Sequence, residues 1–134
     1  MKKLKAAKSV LGMITALIFV LVAGSVCAQE QAIKMEDLEK LAKEALANAE
    51  GTRKIVAGVI EKVEKEMPKD ASSLLKGEVD GAKMWFKKGD DLLAKCKKQI
   101  EEKKFTKELV IDLNQAWRWL VEAGSEIVRA SMME

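Results

Sequence analysis

The chain has 134 residues, a formal charge of +3, 49% hydrophobic and 34% charged residues, but only 4% aromatics. It holds no His or Tyr and one Pro, which excludes Ser-His-Asp triads, Cys-His dyads and His-ligated zinc or haem. Its length is one domain at most, and Gly and Pro are too sparse for a small sandwich or barrel full of tight turns.

The first 28 residues read as a secretory signal peptide. Lys2, Lys3, Lys5 and Lys8 form a basic start, Val10 to Val22 is almost wholly apolar, and small residues run from Ala23 to Ala28. Cleavage is expected between Ala28 and Gln29. Two other readings of the segment are an uncleaved membrane anchor, since the apolar run nears spanning length, and a lipoprotein at Cys27, for which Val26 is a poor preceding residue. Cleavage changes the electrostatics. Four of the 24 Lys and Arg lie in the segment and all 21 Asp and Glu lie beyond it, so residues 29–134 carry 20 basic and 21 acidic groups, a net −1. That balance carries no basic excess for nucleic acid. The expected location is exported, periplasmic or extracellular.

Three long amphipathic helices follow, expected at about 35–67, 73–103 and 107–132. In the first, Leu38, Ala42, Ala45, Ala49, Thr52, Val56, Val59 and Val63 recur at alternating spacings of four and three, a heptad pattern. Leu41, Leu46, Ile55 and Ile60 widen its apolar face, which suits packing against two neighbours. Glu36 and Asp37 favour its positive end, and Pro68 ends it.

The second helix carries Val79, Ala82, Phe86, Gly89, Leu93, Cys96 and Ile100 on one stripe. Asp70 or Ser72 caps it, unless Gly77 and Gly81 delay the start to a cap at Asp80. In the third, Leu109, Leu113, Ala116, Leu120, Ala123, Ile127 and Ala130 form the stripe. Thr106 is the expected N-cap, and Phe105 with Val110 a hydrophobic staple. Short connections make sequential helices antiparallel. The expected fold is all-α: an up-down-up bundle of three long helices.

Counting back from the connections places Gly51 near Gly89 and Trp85 level with Gly124. Glycines at mid-height make room for bulky neighbours, line a cavity, or form a hinge for helix opening. The second reading makes Gly51, Phe86, Gly89, Leu120 and Gly124 a candidate pocket for an apolar ligand. Trp117 falls on a buried stripe. Trp119 shares a face with Asp112, Gln115, Glu122 and Glu126, which marks Trp119, together with Trp85, as a candidate contact with a partner. Cys96, the one cysteine left after cleavage, sits on a core stripe. It reads as a buried small hydrophobe, or, beside Lys95, Lys97 and Lys98, as a reactive or intermolecular thiol.

No catalytic constellation, cofactor motif or metal-ligand spacing is visible. Adjacent carboxylates such as Asp90-Asp91 point in different directions on a helix and make no dyad. The expected function is therefore non-enzymatic: protein–protein contact or self-association. Alternatives are a carrier of a small apolar ligand and a lipid-surface-binding amphipathic bundle.

Overall fold

A computed structural model describes residues 34–133. The expected signal segment, the expected Ala28–Gln29 cleavage site and Cys27 lie outside the described residues. These form α1 (Met35–Glu66), α2 (Ser73–Glu101) and α3 (Lys107–Ser131), packed against one another as an all-α three-helix bundle. Cross-helix ion pairs Glu64–Lys83 and Glu50–Lys97 run α1 antiparallel to α2, and Trp85–Glu126 runs α2 antiparallel to α3. No helix among the described residues is long and apolar enough to cross a membrane.

Local chemistry sets the helix ends. The Ser72 hydroxyl accepts from the Leu75 N–H at 3.1 Å, so α2 starts at Ser73 and runs unbroken through Gly77 and Gly81. Neither Asp70 nor Asp80 is the cap. Thr106 Oγ1 likewise accepts from the Leu109 N–H at 3.1 Å. Each bond satisfies one of the free N–H groups of a first turn, a contribution of about 1 kcal/mol. Phe105 and Val110 pack on the same core cluster, as a staple requires.

The far end of α2 differs from expectation by two residues. Lys103 takes a left-handed φ of 56°. The Lys104 N–H donates to the Gln99 carbonyl and the Lys103 N–H to that of Ile100, both at 3.0 Å. This is a Schellman closure, usually built on Gly. Because Lys holds the left-handed position here, composition gives no stop signal before Phe105.

The expected stripes form the core. All seven α3 positions from Leu109 to Ala130 are 0% exposed. In α1, Ala42, Ala45, Ala49, Thr52, Val56, Val59 and Val63 are buried, whereas Leu38 is half-buried. Small α1 residues lie where the partner is large: Thr52 meets Trp117 across the α1/α3 seam. One part of the core gathers Val56, Val63, Val79 and Ile127, and the other gathers Ala49, Leu93, Leu113 and Leu120. Phe86 packs against both. Fully burying one such aliphatic side chain stabilises by about 1.5–3 kcal/mol. The helix α3 packs broadly on both others, while α1 and α2 touch each other least.

Candidate functional site

Of the two candidate contact tryptophans, Trp85 lies on the α2/α3 seam, and Trp119 shares an α3 face with Glu126, which reaches that seam. Trp85 is half-buried, and its indole N–H donates to Glu126 Oε1 at 3.2 Å. The Lys88 ammonium lies 4.9 Å from the centre of the Trp85 ring, in cation–π range. Gly81 lets this arrangement form: a Cβ there would collide with the Glu126 carboxylate. Trp119 is half-buried as well, drier than its acidic neighbours suggest. It stands seven residues from both Asp112 and Glu126, so the three share one helix face. The register that faces Gly81 to Glu126 sets Lys88 level with Trp119. Met84, next to Trp85, is 50% exposed and Leu74, earlier on α2, is 66% exposed. The flank thus presents two half-buried tryptophans among charges of both signs.

The mid-height glycines do not converge. A Cβ on Gly89 would lie 2.8 Å from Leu120 Cγ and 3.0 Å from the Ala116 carbonyl oxygen. Leu120 therefore fills the space that Gly89 leaves, which is the large-to-small packing reading. Gly124 is buried. Gly51 has nothing within 4 Å of the place a Cβ would take. It is also not level with Gly89. The pairs Arg53–Asp90 and Glu50–Lys97 shift α2 against α1 by more than a helical turn from the expected register, leaving Gly51 beside the level of Leu93 to Cys96. The cause is the connection: the Ala71 N–H turns back to the Pro68 carbonyl at 3.1 Å, and Ala71 is buried. The chain plugs the end of the core before it reverses.

Open space lies elsewhere. A groove of about 720 Å³ between α1 and α2 is lined by Ala57, Ile60, Glu61, Glu64, Lys65, Lys83, Phe86 and Lys87. Of the five candidate pocket residues, Phe86 alone borders it. The Arg53 guanidinium lies 5.7 Å from the Phe86 ring centre and pairs with Asp90. The carboxylate, by its hydrogen bond first, raises the pKa of the guanidinium above its usual range against the opposing effect of burial.

Cys96 is 1% exposed. Burial pushes its thiol up to about 11, aided by the charge of Asp112 and opposed by Lys95. Lys95, Lys97 and Lys98 point to solvent while the sulfur points into the core. These surroundings are those of a buried small hydrophobe, the first of the two readings of Cys96.

Comparison with protein-family models, with curated proteins and with solved structures finds no match. One structural contact escaped the sequence reading. The Trp117 indole donates to Thr52 Oγ1 at 3.0 Å inside the core. A Thr on an otherwise Ala/Val stripe was the available signal, since a buried hydroxyl needs a partner.

Proposed function

We propose that the chain is an exported, non-enzymatic helical bundle, periplasmic or extracellular, that acts by contact with a protein partner or a second copy of itself. The contact surface is the α2/α3 flank around Trp85 and Trp119. The observation that carries this reading is the half-burial of both tryptophans there. Tryptophans edged by charge are the composition from which interface hot spots are built. The Trp85 ring is held by Glu126 and Lys88 before any partner arrives, and so loses little side-chain freedom on binding. The export part of the proposal rests on the basic, apolar and small-residue runs of residues 1–28.

The test is complex size by light scattering over a range of concentrations, with native co-purification alongside. A complex is expected that Trp119→Ala weakens by about 1 kcal/mol or more and Trp85→Ala by a similar amount. A monomer that co-purifies with nothing, from the compartment to which the chain is sent, refutes the reading. The carrier alternative loses its original support at Gly89, because Leu120 occupies that space.

A further inference from the structure

The α1/α2 groove uses a different face of α2 from the tryptophan flank and calls for its own occupant. Its floor is Ala57, Ile60 and the Phe86 ring. The Glu64–Lys83 ion pair, at 3.5 Å, crosses it toward the Pro68 end. Its α1 lining runs from Ala57 to Lys65, a rise of about 12 Å. The space is therefore an open trough with an apolar floor and charged lips.

The charges on its lips are nearly all spoken for. Lys65 pairs with Glu61 at 3.1 Å and Lys83 with Glu64. Lys87 lines the same groove yet has no carboxylate partner among the described residues. One uncommitted cation beside an apolar trough complements one anion on an apolar chain. We infer that the groove binds a free fatty acid, its tail along Ala57, Ile60 and Phe86 and its carboxylate on Lys87 Nζ. A second copy of the chain fits less well. An apolar floor of three side chains falls short of the roughly 800 Å² per partner that stable protein interfaces bury. A neutral apolar molecule leaves Lys87 without a role.

The experiment is a titration of the purified full chain with dodecanoate below its micelle concentration, followed by backbone amide shifts. Dodecyltrimethylammonium and a zwitterionic single-chain phospholipid are run in parallel. Saturable shifts are expected at Ala57, Ile60, Phe86 and Lys87, with dodecanoate bound tightest. Lys87→Glu should weaken dodecanoate by about tenfold, as loss of a charge-assisted contact implies, and should not weaken the cationic amphiphile. Ala57→Trp, which fills the trough, should abolish binding. Trp119→Ala should leave it unchanged, which separates this site from the protein-contact surface. Four results overturn the inference: no saturable binding, equal affinity for the cationic amphiphile, tighter binding of the phospholipid, or shifts centred on Trp85 and Trp119. A dimer that Ala57→Trp converts to monomer also overturns it, by giving the groove to a second copy.

Discussion

The seams that α3 makes and the seam that it does not make are built differently. Against α2, α3 inserts Leu120 over Gly89 and sets Glu126 over Gly81. Against α1, it buries Trp117 on Thr52. The Leu120–Gly89 and Trp117–Thr52 contacts are dry and shape-matched, and Glu126 and Gly81 are half-buried at the edge of the α2/α3 seam. Between α1 and α2, the cross-helix contacts are half-exposed ion pairs above an open groove. The difference comes from the side chains presented. The α3 stripe is fully buried, whereas α1 and α2 turn Ala57, Glu61, Lys83 and Lys87 toward their shared edge. Three amphipathic helices close two seams with their apolar stripes. The third is left to long charged side chains, and that is where open surface arises.

Substitutions at the two kinds of seam should therefore differ in scale. The largest effect is expected at Gly89→Leu, where added atoms meet Leu120 and the Ala116 carbonyl. Overpacking of this kind should cost about 3 kcal/mol in urea denaturation followed by circular dichroism. A cost near zero would mean that the α2/α3 seam is loose. Next comes the buried pair. Thr52→Val and Trp117→Phe should each cost about 1–3 kcal/mol by stranding the other's polar group, and the double variant should cost clearly less than both together. Strict additivity would remove the hydrogen bond from the account.

The closed core also has a pH signature. The Cys96 thiol titrates near 11 when folded against an ordinary value of 9.0. The folded state thus holds a proton that the unfolded chain releases first. Its contribution is fully present below pH 9.0 and is lost as pH rises toward about 11. Cys96→Ala should flatten that part of the stability profile relative to the parent chain, and an unchanged slope would place the thiol in water. The smallest effect is expected at the open seam. Arg53→Ala removes a half-exposed pair and a ring contact, and should cost under about 1 kcal/mol. A cost as large as that at Gly89 would erase the distinction between the seams.

Much of this was legible in the sequence. The heptad spacings marked the helices, Thr106 marked one start while Ser72 was one of three candidate caps for another, and the α3 stripe gave its core residue by residue. The α2/α3 level came out correctly because Lys103 to Thr106 is a plain short reversal. The α1/α2 level did not, because Ala71 folds into the core and slips α2 along α1. A loop's length shows that the chain reverses, but not how far it travels first. That slip separated Gly51 from Gly89. Lys103 hid a helix end behind a residue that rarely takes left-handed backbone. Trp119 is half-buried, which its acidic neighbours in sequence do not reveal.

The central functional claim is that contact runs through the tryptophan flank. The most direct measurement places a photoreactive residue at position 119 and, separately, at position 58, then irradiates the producing cells and weighs the products. Gly58 is exposed and has nothing within 4 Å, so it reports chance encounters. The account predicts a discrete adduct, with a partner or a second copy, from position 119 and none from position 58. Equal adducts from both positions, or none from either, would contradict it.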